Sequence, residues 1–394
     1  MVALTRPDRH GGLPLHCFVR RASDSIIGGM SLEQEIKDKG RELGFDAVGI
    51  TDASQVGREH VEHLQEWLRR GYAGRMEYMH RHLEKRIDPA QLRKGAKSVI
   101  VVALNYKPRE SIADCGLRIA DSASDRNSAG GAAPAVGWVT PTVSIVSDEA
   151  VGTAHLTGDP QSEIPNPKSE ITAAGKVAAY AQYEDYHPFI KSLLRELASF
   201  LSVRAGRPDR YKICVDSAPL AEKALAVRAG LGFIGKNHLL IHPQLGPQTL
   251  LGELVTTLPL QPDEPNDGTC KDCDRCIKAC PTGALRPDGF LDARKCVSCL
   301  TQYESQEPSA TNTHGWLFGC DECLLACPFH NQAPACASRQ FKFHPDRATL
   351  SLHEVLSLDP ETFEARFADS PIHRLGLEPL QRTARTCLQA RARP

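Results

Sequence analysis

Cysteine is the residue whose spacing says most in this sequence: ten of its fourteen cysteines fall between positions 270 and 336. The run Cys270-x2-Cys273-x2-Cys276-x3-Cys280-Pro281 has the spacing of bacterial ferredoxins, in which three thiolates hold one 4Fe-4S cluster and the fourth crosses to a second. Two-residue spacers aim successive thiolates at neighbouring irons of one cube. A zinc ribbon closes instead on a single ion with four ligands. A second set, Cys320-x2-Cys323-x3-Cys327-Pro328, repeats the tail of the run, but the position of its leading cysteine is Leu317. Another thiolate must complete it. Cys296 is the candidate and Cys299 its competitor, since spacing alone favours neither. With Cys296, one cluster takes Cys270, Cys273, Cys276 and Cys327, and the other takes Cys280, Cys296, Cys320 and Cys323. Cys17, Cys115, Cys214, Cys299, Cys336 and Cys387 are assigned no chemistry, because buried free thiols are common in cores.

Two clusters form a one-electron relay, so the rest of the chain is expected to hold a centre that consumes low-potential electrons. There is room for one. A chain of 394 residues exceeds the roughly 250 at which single cores stop growing, which gives two or three domains. Its hydrophobic and charged fractions, 41% and 24%, are those of a globular chain. No apolar run reaches the roughly 20 residues that cross a bilayer, so no membrane association is expected. With 47 basic and 48 acidic residues and a net charge of -1, the chain lacks the positive field of a general nucleic-acid binder; RNA must meet a local basic face. Cysteines crowded at metal-ligand spacing in a long chain point to a reducing compartment, and a cytoplasmic location is expected. Residues 1–29 carry no apolar segment of secretory length. They are expected to be disordered, with the natural start at Met30.

The elements that position this chemistry follow from periodicity. Ser31-Leu-Glu-Gln34 reads as a capping box opening a helix that Gly44 stops. A strand from Asp46 to Ile50 and a helix ending near Gly71 come next. Ser98 to Leu104 is an unbroken apolar strand, which predicts a sheet covered on both faces in an α/β sandwich. Residues 108–171, rich in Ala, Ser, Gly, Asp and Pro, read as an insertion. A long amphipathic helix from about His187 to Arg204 sets Phe189, Leu193, Leu194, Leu197 and Leu201 on one face. Tyr211 to Asp216 reads as a strand ending in an acid, followed by a helix from Leu220 to Ala229. Two apolar segments, His238 to Ile241 and Leu250 to Leu258, are expected to complete the sheet. Pro259 to Gly268 is a linker to the cysteine module, and the chain after Phe343 reads as helical. The expected domains are 30–262, 263–336 and 337–394.

Over most of Met30 to Cys387 the sequence resembles the epoxyqueuosine reductase family. The segments that carry the resemblance are Leu43-Gly-Phe-Asp-Ala-Val-Gly-Ile-Thr-Asp52, Met76-Glu-Tyr-Met79 with Arg81, His82 and Arg86, Glu184-Asp-Tyr-His187, Val215-Asp-Ser-Ala-Pro219 and Ala229-Gly-Leu-Gly-Phe-Ile-Gly-Lys236. Leu291-Asp-Ala-Arg-Lys-Cys296 and Gly319-Cys-Asp-Glu-Cys323 extend it into the cysteine module. The resemblance implies a cobalamin-binding α/β (α+β) domain of nitroreductase-like architecture, a bacterial-type two-cluster ferredoxin domain and a short C-terminal α-helical repeat segment that helps to hold tRNA. It implies reduction of the epoxide of epoxyqueuosine to queuosine at the wobble position of a tRNA with a GUN anticodon. Electrons would come from a low-potential donor such as flavodoxin or ferredoxin, and a monomer is expected.

By the same resemblance Asp216 is the proton donor. Chemically, an acid at a strand's carboxyl end faces a cleft, and burial beside a cofactor is expected to keep it protonated near neutral pH. Without the resemblance, Asp216 reads as a cap for the helix that begins near Pro219. The implied cobalamin contacts are Arg86, Asn237, Leu240, Leu251, Ser298, Asp321 and Glu322. Two departures stand out. Ala179 occupies a position where the family usually has arginine, and Cys299 one where it usually has tyrosine. Two rival readings are a dehalogenase-like cobalamin enzyme and a ferredoxin-type electron-transfer protein. The second is disfavoured, because shuttling electrons needs no large α/β domain.

Overall fold

The computed structural model describes residues 30–109, 173–206, 211–303 and 313–391. The leader 1–29 and all of the expected insertion except Pro108 and Arg109 lie outside the described residues. Ser31 caps the first helix, α1 (Leu32–Glu42), its Oγ accepting from Gln34 N at 3.2 Å. The reciprocal half of the capping box is not made, because the Gln34 amide turns to Asp38 at 2.9 Å instead. Then follow β1 (Ala47–Asp52), α2 (Arg58–Arg69), α3 (Leu83–Ile87), β2 (Ser98–Asn105), β3 (Ala174–Val177) and α4 (Tyr186–Arg204). After them come β4 (Lys212–Cys214), α5 (Glu222–Arg228), β5 (Phe233–Ile234), β6 (Leu240–Ile241) and β7 (Thr249–Thr256).

Strands β1, β2, β7 and β4 form one sheet in that order, antiparallel at every pairing. The architecture is therefore α+β rather than α/β. The expectation of a sheet covered on both faces holds, and alternation along β2 explains it. Ile100, Val102 and Leu104 face a core with Ile36 of α1 and with Ile190, Leu194, Leu197 and Leu201 of α4. Val99, Val101 and Ala103 face a second core with Leu225 and Ala226 of α5. Helix α4 lies close on the sheet because Gly252 has no side chain: a Cβ there would sit 2.7 Å from Ile190 Cγ2. Contrary to the expectation from its apolar run, His238 to Ile241 does not join this sheet. Its β6 pairs instead with β5 in a separate two-stranded ribbon.

The cysteine module carries short helices α6 (Arg275–Ala279), α7 (Val297–Tyr303), α8 (Glu322–Leu325) and α9 (Pro328–Gln332), with strand β8 (Trp316–Phe318) between α7 and α8. Trp67 Nε1 of α2 donates to Leu291 O at 2.6 Å, tying the module to the first domain. The chain after Phe343 is helical, with one correction: β9 (Thr349–Ser351) precedes α10 (Leu352–Ser357), α11 (Pro360–Phe367) and α12 (Leu377–Arg391). Strand β3 runs parallel to β8 and antiparallel to β9. Val177, Leu317, Phe318, Leu350, Phe363, Phe367 and Leu380 share a core there, so three distant chain segments pack as one layer.

Candidate active site

The eight cysteines gather in two groups. Cys276 feels the charge of Cys270 and Cys327, and Cys327 that of Cys270 and Cys273. Cys320 feels Cys296, Cys296 feels Cys280, and Cys323 feels both Cys320 and Cys296. All four of Cys280, Cys296, Cys320 and Cys323 line one cavity of about 250 Å3, and Cys299 does not. The backbone of Cys299 instead gives a hydrogen bond to the Cys296 thiol. Among the described residues no three His, Cys, Asp or Glu side chains stand close enough to hold a single metal ion, as a zinc ribbon would need. Thiolates that hold a cube sit on separate irons and are spread apart. Burial pushes the Cys320 thiol up to about 12 and Cys323 well above the thiol range. Thiols raised in this way lose their proton together with metal binding where they serve as ligands.

The acid of the second half of the site lies in a strained turn. Asp216 follows β4 by two residues and has φ +53, a left-handed conformation that asparagine and aspartate tolerate better than other side chains. Ser217 N to Val215 O at 2.6 Å and Leu220 N to Ala218 O at 2.8 Å tighten the turn further. The carboxylate accepts from Tyr186 Oη and His187 Nε2, each at 3.1 Å. It does not cap α5, whose N-cap is Ala221 with no side-chain hydrogen bond. His187, with a side chain only 8% exposed, also bonds Asp185 Oδ1 through Nδ1 at 2.6 Å. Arg374, from the C-terminal segment, packs its Nη1 2.6 Å from Nε2 and 3.0 Å from Nδ1 of the same ring.

Several groups act on the Asp216 carboxyl at once. Desolvation pushes the Asp216 carboxyl up, but the His187 hydrogen bond and charge, the Tyr186 hydroxyl and Arg374 outweigh it and hold the group below its ordinary value. Its side chain is 57% exposed to the cleft, so water also favours the charged form. Burial pushes the His187 imidazole down, yet its bonds to Asp185 and Asp216 raise its proton affinity overall.

The residues that could hold cobalamin are distributed around adjoining cavities. Arg86 lines one of about 270 Å3 with His60, His63, Trp67 and Ile234. Its Nε is buried and has no hydrogen-bond partner among the described residues, a donor that a polar group of a ligand would satisfy. Asn237, Ser298, Asp321 and Glu322 line the 250 Å3 cavity that also contains the second cysteine group. Leu291 belongs to both of these cavities, and Tyr180 links the second to a 210 Å3 cavity at Asp216, Tyr303 and Arg374. This donor set suits a large planar ligand bearing amides. Leu240 is 3% exposed and packs in the core, and Leu251 lies partly buried against it, so neither side chain lines these cavities. Glu322 is engaged by Lys176 at 2.8 Å and Trp316 Nε1 at 3.1 Å. Asp321 accepts from the backbone of Ala179 at 2.7 Å, and burial raises it to about 6.

Tyr186, His187, Arg374, Glu222 and Glu253 were given no role from sequence. An acid inside the apolar run Leu250 to Leu258 was the visible signal for Glu253.

Residues 144–217 match the family model described as "Epoxyqueuosine reductase QueG, DUF1730", and residues 269–330 match "4Fe-4S double cluster binding domain". An epoxyqueuosine reductase of Pseudomonas aeruginosa is 34% identical over 351 residues, covering 88% of this chain and 82% of that one. That of Cyclobacterium marinum is 32% identical, over 89% and 94%. A crystal structure of epoxyqueuosine reductase with an epoxyqueuosine-modified tRNA-Tyr stem loop superposes with a TM-score of 0.71 at 26% identity, over 91% of this chain and 81% of that one. A Bacillus subtilis structure, described as having its catalytic aspartate loop swung out of the active site, matches with the same figures of 0.71, 26%, 91% and 81%.

Proposed function

The chain belongs to the epoxyqueuosine reductase family, oxidoreductases that act on tRNA, and from that premise we propose which of its residues carry the reaction. Two electrons and two protons convert the epoxide to the alkene of queuosine and release water. A 4Fe-4S double-cluster domain is present. In our reading Cys270, Cys273, Cys276 and Cys327 hold one cluster, and Cys280, Cys296, Cys320 and Cys323 the other. Arg86, Asn237, Ser298, Asp321 and Glu322 hold cobalamin in the connected cavities, with Leu240 and Leu251 meeting it through backbone groups. When bound, the clusters supply single low-potential electrons and the cobalt supplies the reductant for the strained ring.

Asp216 delivers the proton to the epoxide oxygen. The observation that carries this reading is its carboxylate, set on the open cleft while bonded to His187, whose proton affinity is raised. The proton held at Nε2 passes through the Asp216 carboxylate to the substrate oxygen, and Tyr186 keeps that carboxylate aimed. The relative described with its catalytic aspartate loop swung out of the active site supports the assignment. Asp216→Asn should keep iron content and cobalamin binding while single-turnover epoxide reduction falls roughly 10²–10⁴-fold, the usual worth of a positioned general acid. Turnover near that of the native chain would retire it.

The same reading extends to the whole chain. The antiparallel sheet with helices on both faces supports a nitroreductase-like domain over 30–262, followed by the ferredoxin domain at 263–336. Entry of Arg374 into the cleft supports residues 337–394 as a helical repeat segment on the tRNA side. The substrate is then a tRNA with a GUN anticodon, the donor a flavodoxin or ferredoxin, and the protein a cytoplasmic monomer. No helix among the described residues is long and apolar enough to cross a membrane. A corrin absorption spectrum of the purified protein separates this reading from a simple electron-transfer protein.

A further inference from the structure

We propose that Glu222, backed by Glu253, is a positioning residue that latches Asp216 in its left-handed turn, so that a pair of carboxyl groups under the loop governs whether the proton donor faces substrate. The proposal rests on Asp216 being that donor. The backbone N–H of Asp216 donates to Glu222 Oε1 at 2.6 Å. This is a charge-assisted bond to the one residue of the turn with positive φ. Behind Glu222 stands Glu253, wholly buried on β7 opposite Cys214 of β4. Among the described residues neither of its carboxyl oxygens has a hydrogen-bond donor. Glu222 is the carboxyl group that acts on it most strongly, with Asp216 beyond it.

Two carboxylates cannot both ionise in such a place, and chemistry decides which one keeps the charge. Burial drives Glu253 far up, with Glu222 and Asp216 adding to the effect. Glu222 lies at the first position of α5, where the helix dipole favours an anion, and it has the Asp216 amide as donor. Glu253 is thus the neutral acid and Glu222 the carboxylate that grips the loop. The other groups facing Glu222 are Asp216 on the loop, Tyr186 on α4, Arg86 on α3, Cys214 on β4 and Lys223 on its own helix. Desolvation, then the charge of Asp216, raises Glu222 to about 7. Below that pH Glu222 takes up a proton, the second of the pair, and its hold on the amide weakens, so the turn loosens as pH falls through neutrality.

Amide hydrogen exchange of the peptide containing Asp216, corrected for the intrinsic pH dependence, tests this in the purified protein without substrate. Glu222→Ala should raise exchange at Asp216 about tenfold or more and lower single-turnover reduction while tRNA affinity holds. Glu222→Gln keeps an acceptor oxygen but nothing that titrates, so the loosening below pH 7 should vanish. Glu253→Gln gives Glu222 a permanent donor and should move the loosening to lower pH. Native protection of Asp216 in Glu222→Ala, or acid loosening that survives in Glu222→Gln, overturns the latch. If Asp216→Asn turns over normally while Glu222→Ala still frees the loop, the donor assignment fails and the latch stands.

Discussion

The cysteine module and the Asp216 turn are built in opposite ways. In the module, three cysteines at cluster-ligand spacing come from seven consecutive residues, Cys270 to Cys276. At the turn, the groups that hold a proton come from the start of α4, the start of α5 and a C-terminal arginine 187 positions from its partner. Metal ligation is specified locally, because soft thiolates and a cube impose their own geometry. Proton handling has no such template. Its energies depend on burial and on charges that only the folded chain brings together.

The largest effect that can break this comparison is loss of a cluster. Cys296→Ser should remove the second cluster and leave about half the iron and sulfide per chain, since a cube needs all its thiolates. Cys299→Ser should keep both clusters, because its thiol stands outside the cavity that the other four line. The reverse outcome would give the ligand to Cys299 and show that spacing alone misleads even in the module.

His187→Gln probes the turn and should cost roughly 10²-fold in single-turnover reduction, in keeping with loss of a positioned acid. The sign of its pH effect is set by the raised imidazole. In the native chain the proton is available below the raised value and is lost as pH rises through it, giving an alkaline limb. The variant has no group to lose a proton there, so the limb should disappear from a single-turnover pH profile. An unchanged limb would place the titrating group elsewhere.

The sequence carried the strands with unbroken apolar runs, the amphipathic α4 and the first cysteine run from Cys270 to Cys280, because each is written in residues near one another. It did not carry the separate β5–β6 ribbon. A short apolar segment such as His238 to Ile241 reads alike whether it joins a sheet or forms a ribbon. Strand β9 was missed because three residues between helices give no period to detect. Asp216 was legible as an acid at the end of a strand, but the groups that act on it were not. Burial pushes its carboxyl up, and His187, Tyr186 and Arg374, which act the other way, are brought to it only by the fold.

The finest test concerns Arg374, which joins the turn from the far end of the chain. Its guanidinium lies against His187 and lowers the proton affinity of both that ring and Asp216. Arg374→Ala should therefore raise both, and the alkaline limb should move to higher pH while the rate at neutral pH changes less than in His187→Gln. The residue is exposed to solvent, so its influence is screened. In the native chain the alkaline limb should itself shift upward in 1 M salt, where charges are felt over only about 3 Å, and Arg374→Ala should show little of this shift. Equal salt dependence in the two proteins would mean that Arg374 acts by packing alone, and that the C-terminal segment shapes the cleft without tuning its proton.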